Sequence, residues 1–87
     1  MADYSISFVR SARKELESLS AALIGRILTK IELLSKNPRP AGCKKLKGAH
    51  DDLWRIRIGE YRVIYSIIDS DIRIEIVTVR HRSQAYD

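Results

Sequence analysis

Apolar and polar residues alternate with period two over Tyr4-Ser5-Ile6-Ser7-Phe8, the pattern of a strand buried on one face. The period then lengthens. Ser11 is placed to cap a short helix carrying Ala12, Leu16 and Leu19 on one stripe. Ser20 is placed to cap a second, in which Leu23, Ile24, Ile27, Leu28, Ile31 and Leu34 recur at i, i+3, i+4 spacing. Pro38 disfavours helical geometry in the residue before it and Pro40 follows, so the second helix stops near Asn37. Gly25 lies inside that helix at a cost of about 1 kcal/mol against alanine, which points to close packing against the first helix. Residues 37–52 hold both prolines and two of the four glycines without a sustained period, and read as a basic connecting loop. Three alternating runs follow, 53–58, 61–68 and 72–80, separated by Gly59-Glu60 and by Asp69-Ser70-Asp71. The order predicts an α+β domain over residues 1–87: an N-terminal strand, a two-helix hairpin, then a three-stranded antiparallel meander.

Turn lengths set the register. With Gly59-Glu60 as a two-residue turn, Ile58 pairs with Tyr61, Arg57 with Arg62, Ile56 with Val63 and Arg55 with Ile64. Paired residues share a face, so Trp54, Ile56, Ile58, Val63 and Tyr65 line one side and Arg55, Arg57 and Arg62 the other. A three-residue turn at Asp69–Asp71 pairs Ile68 with Ile72, Ile64 with Ile76, Arg62 with Thr78 and Glu60 with Arg80, which brings Arg80 to the arginine face. A two-residue turn would send it to the other side. Like charges opposite one another destabilise a sheet, so such a cluster persists where it is well solvated or where a ligand neutralises it. Guanidinium groups, planar and permanently charged, suit phosphate.

Charge distribution sharpens this picture. Sixteen Lys and Arg face eleven Asp and Glu, a net charge of +5. Between Lys36 and Arg62 lie eight basic and three acidic residues, so the whole excess falls in that stretch. A polyanionic partner follows, nucleic acid before anionic membrane, with a merely solubilising basic surface as the plain alternative. No apolar run reaches the roughly 18 residues of a membrane span, and the first residues lack signal-peptide character. One cysteine forms no internal disulfide, and the expected compartment is the reducing cytoplasm. Two histidines with Cys43 are too few for a structural zinc site, and no carboxylate pair is spaced to hold Mg²⁺ beside the arginines, so no metal or cofactor is expected. His81 is a candidate proton carrier, imidazole being the side chain suited to that task near neutral pH, although a histidine in such a position is commonly an ordinary surface residue. His50, beside Asp51 and Asp52, fits a turn. Tyr61 and Tyr86 offer rings for stacking or hydroxyls for hydrogen bonding.

The stretches Leu46-Lys47-Gly48, Leu53-Trp54-Arg55-Ile56-Arg57-Ile58-Gly59-Glu60-Tyr61-Arg62-Val63-Ile64-Tyr65 and Val79-Arg80-His81-Arg82, with Tyr86, resemble the RelE/ParE toxin superfamily. The resemblance covers the whole chain, and Gly-Glu-Tyr-Arg-Val-Ile-Tyr is its most specific part. It implies a toxin of a toxin–antitoxin pair. In the RelE branch the toxin enters the ribosomal A site and cleaves mRNA, whereas the ParE branch poisons DNA gyrase. By position, Arg62 and Arg80 match RelE arginines and Tyr86 the C-terminal tyrosine. Arg55 and Arg57 stand where RelE toxins have lysines, one of them a proposed general base. An arginine stays protonated and is a poor base, while His81 stands where other RelE-like toxins carry a catalytic histidine. The resemblance thus implies Arg62, Arg80, His81 and Tyr86 as catalytic residues, with Arg55, Arg57, Lys45, Lys47, Tyr61 and Arg82 on the RNA. The implied partners are a cognate antitoxin and the ribosome with its mRNA and rRNA. A gyrase inhibitor and a non-catalytic basic RNA-binding module are the alternative readings.

Overall fold

The computed structural model describes residues 3–46 and 53–84. Among them, two helices and a five-stranded sheet form: β1 (Ser5–Phe8), α1 (Arg10–Glu17), α2 (Ala21–Leu33), β2 (Lys44–Lys45), β3 (Leu53–Ile58), β4 (Tyr61–Ile68) and β5 (Arg73–His81). The strand order is β1-β5-β4-β3-β2, with β1 parallel to β5 and the other neighbours antiparallel. A parallel β1/β5 pair requires a crossover, which here runs through the helical hairpin to β2 at the far edge and returns through β3 and β4. Among the described residues no helix is long and apolar enough to cross a membrane.

Ser20 caps α2 as expected, its Oγ accepting the Leu23 N–H at 3.3 Å. Ser11 does not cap α1. That helix starts two residues earlier, because Val9 still belongs to the sheet margin: its N–H donates to the Ile76 carbonyl at 3.0 Å, and the chain turns helical directly after it. Ala12 and Leu16 of α1 and Ile27 and Ile31 of α2, with Leu34, bury their side chains against Ile56, Ile58, Val63, Tyr65, Ile67, Ile74, Ile76 and Val79. Each fully buried large aliphatic side chain contributes about 1.5–3 kcal/mol. Gly25 departs from expectation: a Cβ there would meet nothing within 4 Å, so no helix approaches closely at that point.

The loop after α2 also holds more order than its composition implies. Lys44 and Lys45 pair with Arg55 and Trp54 as a short edge strand. The Tyr65 hydroxyl donates to the Pro38 carbonyl at 2.7 Å, and Arg39 lies over the Trp54 ring at 5.1 Å while bridging Asp69 at 3.0 Å.

The β3/β4 register is as the two-residue turn requires, with Gly59 at φ +58°, the first central position where such a hairpin wants glycine. The β4/β5 register is not as expected. A 3₁₀ turn over Asp69–Asp71 is followed by Ile72 at φ 50°, so the connection is four residues long and Ile68 faces Arg73. The ladder then shifts between Ile64 and Tyr65: Tyr65 faces Ile76, but Ile64 faces Thr78, leaving Val77 as the extra residue of a bulge. Two single-residue offsets restore parity. Arg80 therefore does reach the arginine face, paired with Arg62 and not, as expected, with Glu60. Ile76, expected on the arginine face, is fully buried. The cause is the spacing of Ile74, Ile76 and Val79: all three are buried, and no straight strand turns the same way at steps of two and then three.

Candidate functional site

At the Gly59 end of the sheet the ladders align Arg57, Arg62 and Arg80 in a row across β3, β4 and β5. Directly paired residues have Cβ atoms only about 4.5–5.5 Å apart, so three cationic stems leave one sheet face side by side. Arg57 is exposed, Arg62 half-buried and Arg80 exposed. A polar cleft of about 160 Å³ opens here, lined by Arg57, Gly59, Glu60, Tyr61, Arg62 and Arg82. Guanidinium groups so concentrated have the charge and planar donor geometry that suit a phosphate.

One carboxylate holds the row itself and another holds its neighbour Arg82. Glu15 of α1 accepts from Arg80 Nε at 2.5 Å and from the Val79 backbone N–H at 3.1 Å. Glu60, at the β3/β4 turn, bridges Arg82 Nε at 2.8 Å, and its carbonyl accepts the Arg82 N–H at 2.7 Å. The second contact carries the ladder one residue beyond β5 into a 3₁₀ turn over Arg82–Gln84. Both side chains of that ion pair are mostly exposed, so it fixes direction more than it adds stability.

His81 pairs with Tyr61 and so stands on the sheet face opposite the arginine row, at the same end of the sheet. The two rings meet edge to face, with centroids 5.4 Å apart. His81 Nδ1 accepts the Ser83 N–H at 3.2 Å and lies 2.8 Å from Ser83 Oγ. A backbone N–H can only donate, so the neutral ring carries its proton on Nε2. In this arrangement His81 Nε2 is a hydrogen-bond donor.

The structure thus gathers Arg57, Arg62, Arg80, Tyr61 and Arg82 at one end of the sheet and sets other expected contacts apart. Arg55 is buried at 4% exposure between Lys44 and Ile64, below the surface that the exposed Arg57 presents. Lys45 is exposed but lies opposite Trp54, on the other face; it is Lys44 that aligns with Arg55. The loop gave no register from which to tell the two lysines apart. Lys47, His50 and Tyr86 lie outside the described residues. Glu15 went unnoticed although a signal existed: a carboxylate three residues after Ala12 and four before Leu19 sits on the apolar stripe of its helix.

A family model described as "ParE toxin of type II toxin-antitoxin system, parDE" matches residues 6–86. Toxin RelE of Mycobacterium tuberculosis is 31% identical over 87 residues, spanning 95% of this chain and 86% of the relative. Among solved structures, the archaeal RelE–RelB complex from Pyrococcus horikoshii matches with a TM-score of 0.81 at 36% identity, covering 95% of this chain and 99% of that one. The toxin–antitoxin complex RelBE2 of M. tuberculosis matches with a TM-score of 0.82 at 27% identity, with 97% of each chain covered.

Proposed function

From the premise that this chain belongs to the RelE/ParE toxins of type II toxin–antitoxin systems, we propose that it is a ribosome-dependent mRNA endonuclease. The observation that carries this reading is the row Arg57, Arg62 and Arg80. The reaction uses a nucleophile that the substrate brings: the ribose 2′-hydroxyl attacks the adjacent phosphorus and the 5′-oxygen of the next nucleotide leaves. The 2′-hydroxyl proton goes to a base and the 5′-oxygen receives one, so the products are a 2′,3′-cyclic phosphate and a 5′-hydroxyl. Only RNA carries that nucleophile. The protein's task is to stabilise the extra negative charge of the phosphorane and to move two protons. Arg62 and Arg80 face the phosphorane, Arg57 holds the scissile phosphate, and Tyr61 and Arg82 contact neighbouring nucleotides. His81 or Tyr86 moves the protons, and the histidine can give one to the leaving oxygen only from its doubly protonated imidazolium form. Arg55, being buried, acts beneath this surface. The protein works in the cytoplasm, where ribosomes are. A cognate antitoxin with an acidic and apolar flexible segment restrains it by covering the basic face.

Sequencing transcript 5′ ends after brief induction tests the reading. New 5′-hydroxyl ends inside translated codons are expected, and Arg62→Ala, folded by circular dichroism, should lose about 10²–10³ in rate, as for removal of one transition-state donor. Growth arrest at wild-type potency by that variant contradicts the arginine site. The match to the ParE family model favours one alternative, gyrase inhibition. That reading predicts chromosome breaks and lost supercoiling activity with transcripts left whole.

A further inference from the structure

We infer that Glu15, on the helical hairpin and outside the arginine row, is a positioning residue for Arg80; the inference rests on the phosphate-binding role proposed above. Pairing of β1 with β5 ends at Phe8 and Ile76, with one further bond from the Val9 N–H to the Ile76 carbonyl. Beyond that point β5 runs on for five residues, with α1 where a strand would continue. Glu15 replaces the missing strand. One carboxylate oxygen takes the Val79 N–H at 3.1 Å and the other takes Arg80 Nε at 2.5 Å, so a single rigid group fixes both the backbone before Arg80 and the plane of its guanidinium.

The chemistry of the fork gives this consequence for the site. A guanidinium grips phosphate through two parallel N–H groups, either Nε with one Nη or the two Nη together. With Nε given to Glu15, one edge of the fork is committed to α1, and the direction in which the rest of the guanidinium points is set by that helix. The carboxylate also sets a negative charge behind the cation that stands directly opposite Arg62, easing the repulsion between them. Its side chain is 25% exposed, against 47% for Arg80, so the anchor lies deeper than the group it holds. A displacement of about 1 Å in a catalytic group can cost roughly 10²-fold in rate.

Glu15→Gln separates the two contacts. Its amide oxygen still accepts the Val79 N–H, while its NH₂ faces the Arg80 Nε–H donor to donor. Cleavage of mRNA on ribosomes by the purified protein should fall about 10²-fold at saturating ribosome concentration with the half-saturating concentration unchanged. The melting temperature should drop by no more than about 8 °C, the span that one ion pair moves in a domain of this size. In an Arg80→Ala background the same substitution should add less than about twofold, because residues acting through one another are not additive. A full rate for Glu15→Gln, a loss that multiplies with that of Arg80→Ala, or a larger drop in melting temperature overturns the positioning role. Wild-type protein that leaves ribosome-bound mRNA whole overturns the proposed function and this inference with it.

Discussion

Arg57→Gln should make the protein more stable and less active, with the gain in stability disappearing in salt. Arg57 is exposed and directly opposite Arg62. Two unit charges roughly 6 Å apart in water repel by about 0.7 kcal/mol, within the 0.2–1 kcal/mol or so measured for cross-strand pairs. Glutamine keeps most of the stem that covers the sheet and removes only the charge. For a domain of this size a gain in that range raises the melting temperature by about 1–8 °C. Screening decides the cause: the Debye length falls from about 30 Å at 0.01 M to about 3 Å at 1 M ionic strength, so the difference from wild type should be largest in dilute buffer and close to zero at 1 M salt. Thermal unfolding followed by circular dichroism at both ionic strengths, beside a cleavage assay on ribosomes, measures both effects; the rate should fall by about 10²-fold. A variant that melts at or below the wild-type temperature in dilute buffer, or whose gain is independent of salt, refutes the idea that the row is held against its own repulsion for the sake of a phosphate.

Gly25→Ala should stabilise the protein by about 0.5–1 kcal/mol, since alanine is the better helix former and its Cβ meets nothing within 4 Å; a lower urea midpoint would show that a partner helix does approach. The Asp69 carboxyl is held below its ordinary value of 3.8, first by the Tyr4 hydroxyl and then by Arg39. A depressed folded-state value contributes stability that is present above the ordinary value and lost as pH falls through the folded one. Asp69→Asn should therefore lower the melting temperature near pH 7 and approach wild type as pH drops from about 4 toward 2; a difference that stays constant with pH would assign its effect to packing.

Much of the fold was readable because its determinants are local. The alternation in β1, β3 and β4, the Ser20 cap and the Gly59 turn each act within a few residues, and they fixed the β3/β4 register that sets Arg57 against Arg62. The β4/β5 register was harder, because Asp69-Ser70-Asp71 does not announce that Ile72 joins the connection in a left-handed conformation unusual for a β-branched residue. Val77 could have been inferred from the odd step between Ile76 and Val79, but only by treating both as buried, and burial is a tertiary property. Arg80 reached the right face because two unforeseen offsets cancelled. The contacts that aim it come from α1, sixty-five residues away in sequence, and no periodicity in β5 reports them. The burial of Arg55 and the strand at Lys44–Lys45 were hidden for the same reason: an edge strand of two residues has no period to detect.

The parallel pairing of β1 with β5 also orders events during synthesis. β1 is made early, and its sheet neighbour, beginning at Arg73, is the last strand of the described chain to be made. At about 5–20 residues per second, β1 waits several seconds for the strand that completes it. Arg80 arrives with that same strand, so the arginine row and the closed sheet are finished together. A nascent chain that stops short of Arg73 has neither a docked first strand nor the β5 arginine, and fragments released by interrupted translation should be unfolded and harmless to the ribosomes that made them.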